Sequence, residues 1–144
     1  PLDYLGYLVL MVVLAAVYVA IAVGCSAVTS SGTVAVAAAV GVYFLFTVVL
    51  GGINNALPLV LGLGGGPSWL PLTVGELQTL LQVLNPTGAF KIVSREFLAG
   101  TLFAPPSVEQ RFQQATEAAA VVMLGVWLVA PPLAGLTRFE RADL

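Results

Sequence analysis

The composition separates this chain from ordinary globular proteins. Of its 144 residues, 59% are hydrophobic and 8% are charged, and the formal net charge is −2. Soluble domains average about 25% charged residues, and disordered chains combine low hydrophobicity with high charge, so both classes are excluded and a membrane protein is predicted. Five scattered basic residues make no nucleic-acid surface.

The stretch from residue 4 to residue 75 carries no charged side chain. Because a helix needs about 20 apolar residues to cross the hydrocarbon core, this stretch predicts two spans, residues 5–28 and 33–57. Residues 29–32 read Thr-Ser-Ser-Gly, which favours a tight turn and therefore an antiparallel pair. The start at Pro1, directly before an apolar run, indicates an internal start rather than a signal peptide.

Residues 62–114 are richer in glycine, proline and polar side chains. Thr73 and Glu76 have the spacing of a capping box, and leucines at helical spacing follow them until residues 85–86, Asn-Pro, stop the helix. A second short amphipathic helix is predicted over residues 89–99. Both helices are too short and too polar to span, so we expect them to lie at the membrane interface.

The third predicted span covers residues 115–136. Ser107 and Gln110 repeat the capping-box spacing, so the helix should begin near Val108 and project before it enters the lipid. Glu117 is followed by no charged residue until Arg138. Residues 131–132, Pro-Pro, stand near the end of this span.

Basic residues set the expected orientation. Arg138 and Arg141 follow the third span closely, and lysine and arginine near span ends favour the cytoplasmic side. With three crossings, the C-terminus and the turn at residues 29–32 are then cytoplasmic. The segment at residues 62–114 is extracytoplasmic.

The residues that could carry chemistry are few. The chain has no histidine and a single cysteine, and no catalytic, cofactor-binding or metal site is predicted. Lys91 could form a dyad with Ser94, but we favour Lys91 and Arg95 as the wet face of an interfacial helix. Asn54 and Asn55 either end the second span at the headgroups, which we favour, or line a translocation path.

Small residues recur at every fourth position on the first two spans. Such rows let helix backbones approach closely in lipid, so they indicate a helix bundle, and Cys25 is interpreted as a further small packing residue. The rows are Ala16, Ala20 and Gly24 on the first span and Thr33, Ala37 and Gly41 on the second.

Four local strings, spread over nearly the whole chain, resemble the C-terminal half of an ABC-2 type transporter permease. The last string is the most specific. The sequence of the turn at residues 29–32 differs from that of the family, whose members often have an arginine there. The strings are GCSAVTSS at 24–31, VYFLF at 42–46, LNPT with AF at 84–90, and LTRFERADL at 136–144.

The resemblance implies an all-α membrane protein that is half of a six-helix ABC-2 permease fold, with three spanning helices and two short extracytoplasmic helices, re-entrant or interfacial. It implies a cell-membrane exporter whose pathway is formed by a homo- or heterodimer of permease subunits. A separate ATP-binding cassette ATPase subunit would supply the energy, since the chain has no Walker motif. The alternative is part of a non-ABC secondary carrier or a membrane assembly subunit.

Overall fold

The computed structural model describes residues 2–62, 71–98 and 110–142, and the regular elements within these ranges are all helical. A π-helical turn, Leu45–Val49, joins α2 and α3 into one continuous rod. The expected all-α architecture is confirmed. The helices are α1 (Leu2–Val28), α2 (Gly32–Phe44), α3 (Leu50–Leu61), α4 (Val74–Leu84), α5 (Pro86–Leu98) and α6 (Gln110–Ala142).

Three helical rods in the described ranges are long and apolar enough to cross a membrane, as the sequence predicts. They are Leu2–Val28, Gly32–Leu61 and Ala115–Arg138, with mean hydropathies of 2.8, 2.4 and 2.0. A short turn connects the first two. There the Thr29 hydroxyl donates to the Cys25 carbonyl at 3.0 Å, which satisfies one of the acceptors that the end of α1 leaves free.

Helices α1 and α6 cross in close contact. A Cβ atom added at Gly24 would lie 2.8 Å from both the carbonyl oxygen and the Cβ of Pro131. One added at Gly135 would lie 2.6 Å from the Cβ of Ala27. The helices approach this closely because glycine stands at both contact points, as small-residue packing in membranes requires.

The two rows of small residues differ in burial. On α1, Ala20 and Gly24 are buried. On α2, the row is exposed, and a Cβ at Gly41 would meet no other part of the chain within 4 Å. The first row therefore packs within the chain, whereas the second row makes no such contact in the described residues.

The predicted capping box at the start of α4 is present. The Thr73 amide donates to Glu76 Oε2 at 2.7 Å, and the Glu76 amide donates to Thr73 Oγ1 at 3.3 Å. The Thr73 amide above all, and then the Thr73 hydroxyl, which donates to the same oxygen at 2.9 Å, lower the pKa of the Glu76 carboxyl. The predicted cap at Ser107 and the start near Val108 lie outside the described residues.

Helices α4 and α5 form a hairpin that lies beside the three rods. The predicted stop at Asn85 is confirmed, but α5 begins at Pro86 rather than at residue 89, because proline suits the first position of a helix. From there α5 follows α1 back towards its start. The contacts are Thr87 with Tyr18, Phe90 with Tyr7, and Phe97 with Gly6.

The turn of this hairpin, Asn85 and Pro86, is level with the middle of the rods. It contacts the π-helical turn of the second rod, and its neighbours contact Tyr18 and Trp127, which stand midway along the first and third. This differs from the interfacial location that we expected and corresponds to the re-entrant alternative. Amphipathic spacing reports which face of a helix is apolar, and it carries no information on depth.

Candidate functional site

Asn85 makes hydrogen bonds in several directions at the turn of the hairpin. Its side chain is buried, and Nδ2 donates to the Phe46 carbonyl at 2.7 Å. Its Oδ1 accepts from the Thr87 amide at 3.0 Å, and its own carbonyl accepts from the Ala89 amide at 2.8 Å. Asn85 is therefore the N-cap of α5, and it also ties that helix to the second rod.

The other two rods bind the same turn. The indole Nε1 of Trp127 donates to the Leu84 carbonyl at 2.8 Å, so a free acceptor at the end of α4 is satisfied. The Tyr18 hydroxyl and Thr87 Oγ1 lie 2.6 Å apart and share a hydrogen bond. All three rods thus contribute a hydrogen bond to the turn, which lets polar backbone lie at this depth.

The π-helical turn gives the second rod its contact with the hairpin. Phe46 lies within it, is buried, and packs edge-on against Trp127 with ring centroids 5.0 Å apart. A π-helical turn breaks the regular α-helical pattern of backbone hydrogen bonds and is frequent at functional sites. Here the carbonyl of Phe46 accepts a hydrogen bond from the side chain of Asn85, which lies outside the helix.

Close packing holds the two arms of the hairpin together. Gly88 is buried, and a Cβ there would collide with the carbonyl oxygen of Gln82 and lie 2.8 Å from its Cα. Pro86 is fully buried. The absence of a side chain at Gly88 therefore allows α5 to fold directly back on α4.

A cavity of about 410 Å³ lies between the second rod and the hairpin. We call it the polar groove. Residues of the π-helical turn, α3, α4 and α5 line it, and both apolar and polar side chains are among them. These polar side chains include Asn54, Asn55, Gln82, Thr87, Lys91 and Arg95.

Residues 2–144 match the family model described as ABC-2 family transporter protein. The chain belongs to this family. It is therefore a membrane-embedded permease component of an ABC-2 transporter, as the local strings suggested, and the non-ABC alternative is set aside. No curated protein and no solved structure matches the permease.

Lys91 and Ser94 do not form the dyad that the sequence allowed. Ser94 is buried, and its hydroxyl donates to the backbone carbonyl of Lys91 at 3.1 Å. The Lys91 side chain is exposed, and no hydrogen bond between the two side chains is described. The expected wet face that Lys91 and Arg95 share is the wall of the polar groove.

Asn54 and Asn55 do not end the second span, because α3 continues to Leu61. The Asn54 carbonyl accepts a hydrogen bond from Gln78 Nε2 at 2.8 Å, which links α3 to α4. Asn54 Oδ1 is buried without a hydrogen-bond partner in the described ranges, and Asn55 is exposed. Both line the polar groove. Asn55 lies nine residues beyond Phe46, about 13 Å along the rod and close to the headgroup level, so the headgroup location and the translocation path both stay open.

Metal ligands are not gathered anywhere in the described parts of the permease. Those residues include no group of three or more histidine, cysteine, aspartate or glutamate side chains that could hold a metal ion.

Proposed function

We propose that this permease forms the translocation pathway of an ATP-driven exporter in the cell membrane, together with a second permease subunit. The second subunit is either another copy or a related chain. A separate ATP-binding cassette ATPase subunit supplies the energy. The polar groove is part of the pathway, and the C-terminus of the permease is cytoplasmic.

The depth of the polar groove is the observation that carries this proposal. Lys91 stands six residues beyond Asn85, about 9 Å along α5 at 1.5 Å per residue. The hydrocarbon core extends only about 15 Å from its middle. An exposed lysine at this depth is costly in lipid unless its side chain extends to the headgroups. A water-filled pathway, closed on its open side by a second subunit, removes that cost.

The second rod supports the presence of a partner. Only 6% of its most apolar window is buried within the chain, compared with 28% for α1. Lipid can cover its apolar faces, but Asn55 and Lys91 on the groove side need water or protein. A dimer with this rod near its centre meets both requirements.

The energy source is inferred from the family and from the sequence. A P-loop needs a glycine-rich turn that ends in lysine and serine or threonine, and Lys91, the one lysine, follows Gly88-Ala89-Phe90. These 144 residues therefore contain no P-loop, and we infer from the family that a separate subunit carries the nucleotide site. Arg138 is exposed at the end of the third rod, and the positive-inside rule favours a cytoplasmic location for that end, where an ATPase can dock.

Reconstitution tests the proposal. Purified full-length permease in liposomes should hydrolyse no ATP alone, and it should support ATP hydrolysis and outward solute flux once its ATPase subunit is added. The matched control is the same complex with a catalytically inactive ATPase subunit. Solute flux driven by an ion gradient, without the ATPase subunit, would contradict the proposal.

A further inference from the structure

A second cavity lies between α4, α5 and α6, and it shares Gln82 and Arg95 with the polar groove. Its volume is about 460 Å³. Two carboxylates and one guanidinium line it, together with amide and hydroxyl groups, so it presents both signs of charge. We call it the charged cavity, and its charged members are Glu76, Arg95 and Glu117.

Two of these charged groups have buried polar atoms that lack partners. Arg95 Nε and Glu117 Oε1 are buried, and neither has a hydrogen-bond partner in the described ranges. No ion pair joins Arg95 to Glu117 or to Glu76 there. A buried polar atom without a hydrogen-bond partner is costly even where the rest of its side chain is half-buried. A ligand with one anionic and one cationic group would satisfy both.

The charged cavity lies near the headgroup level. Glu117 stands ten residues before Trp127, whose indole marks the level of the hairpin turn, and Arg95 stands ten residues after Asn85. At 1.5 Å per residue, each offset is about 15 Å. This equals half the thickness of a hydrocarbon core of about 30 Å, which is where the headgroups begin.

Exposed apolar side chains follow Glu117 on α6 and Glu76 on α4 after one helical turn. Val121 is one helical turn closer to the middle than Glu117 and is 55% exposed, and Leu80 on α4 is 47% exposed. A soluble ligand would make no use of this surface. Acyl chains would cover it.

We propose that the charged cavity binds the headgroup of a phospholipid that carries both a phosphate and an ammonium group. The Arg95 guanidinium binds the phosphate, for which its planar fork of donors is well suited. The Glu117 and Glu76 carboxylates bind the ammonium group. The acyl chains lie along Val121 and Leu80.

Native mass spectrometry of the full-length permease with its ATPase subunit tests this site. The probes are phosphatidylethanolamine, phosphatidylglycerol with the same acyl chains, and phosphoethanolamine, which has no chains. We expect phosphatidylethanolamine to bind about tenfold more tightly than phosphatidylglycerol, which lacks the ammonium group, and about tenfold more tightly than phosphoethanolamine, which lacks the acyl chains. Equal binding of phosphatidylglycerol overturns the assignment of the ammonium group, and equal binding of phosphoethanolamine overturns the assignment to a lipid.

Variants locate the site. Arg95→Gln and Glu117→Gln should each lower the affinity for phosphatidylethanolamine about tenfold. Arg138→Gln and Glu140→Gln remove the same charges from exposed positions at the far end of α6, so they should change it less than twofold. If the two cavity variants bind like the wild type, the site is wrong. If they fail to fold, the comparison of the three probes on the wild type still decides.

Discussion

Two helices of the permease carry similar rows of small residues but pack differently. One is α1, which crosses α6, and the other is the rod Gly32–Leu61. Both have a row of small residues in an apolar helix, yet Gly24 packs against Pro131 whereas Gly41 meets nothing within 4 Å. A row of small residues therefore shows where a backbone can be approached. It does not show whether the approaching helix belongs to the same chain.

The largest expected effect tests that comparison directly. Gly24→Leu would drive a side chain into the backbone of α6 at Pro131. We therefore expect the bundle to open and the free energy of unfolding to fall by more than the roughly 1–3 kcal/mol usual for overpacking. Gly41→Leu is the matched control, because its site is open. The measurement is the monodisperse fraction on size exclusion in detergent with the thermal midpoint. Equal loss in both variants would show that the crossing is no tighter than the exposed rod.

The second effect concerns the turn that the three rods share. Asn85→Ala removes the cap of α5 and the donor to Phe46, and leaves buried groups unpaired. We expect a loss of about 2–4 kcal/mol in the free energy of unfolding, since each unsatisfied buried group costs about 1–3 kcal/mol. Asn85→Ser keeps a neutral capping oxygen and loses the amide donor to Phe46. Its effect should be smaller, and a Ser variant as unstable as the Ala variant would show that the cap contributes little.

A third, smaller effect should differ between Tyr18 and Tyr43, whose rings pack against each other with centroids 5.2 Å apart. Tyr18→Phe removes the hydrogen bond to Thr87 and should lower the free energy of unfolding by about 1 kcal/mol. Tyr43→Phe removes an exposed hydroxyl for which no hydrogen bond is described, and should cost close to nothing. Chemical unfolding in detergent compares the two. Equal losses would mean that the Tyr18 hydroxyl does not hold the hairpin.

Much of the architecture could be predicted from the sequence. The charge-free stretches indicated the three spanning helices, and the spacing of Thr73 and Glu76 indicated the start of α4. These features are local, so composition and short spacings report them. The match of residues 2–144 to the ABC-2 family also agrees with the resemblance seen in four short segments of the sequence.

The depth of the hairpin could not be predicted from its own residues, because depth depends on partners elsewhere in the chain. A signal existed in the spans. Tyr18 and Trp127 stand in the middle of apolar runs, whereas aromatic residues with polar atoms usually collect at the interfaces. Their hydroxyl and indole groups needed protein partners there, and Thr87 and Leu84 supply them.

The smallest effect depends on pH. The hydrogen bonds from Thr73 lower the pKa of Glu76, so the ionised carboxylate stabilises α4 above the ordinary glutamate pKa of about 4.3, and this contribution is lost as the pH falls through the lowered value. Glu76→Gln should flatten the acid limb of the stability profile slightly. Glu140→Gln, which removes an exposed carboxylate from the end of α6, should leave that limb unchanged. An identical acid limb in wild type and Glu76→Gln would contradict the effect.

The most direct test of the central claim is whether the polar groove is wet at the depth of the spans. In a Cys25→Ala background, cysteine at position 55 or 91 should react with a membrane-impermeant thiol reagent in the assembled transporter. Cysteine at position 53 is the matched control, because Ile53 is 44% exposed at a similar depth but does not line the groove. Reaction at 55 and 91 with protection at 53 is the predicted result. Protection at all three positions in every nucleotide state would contradict the account.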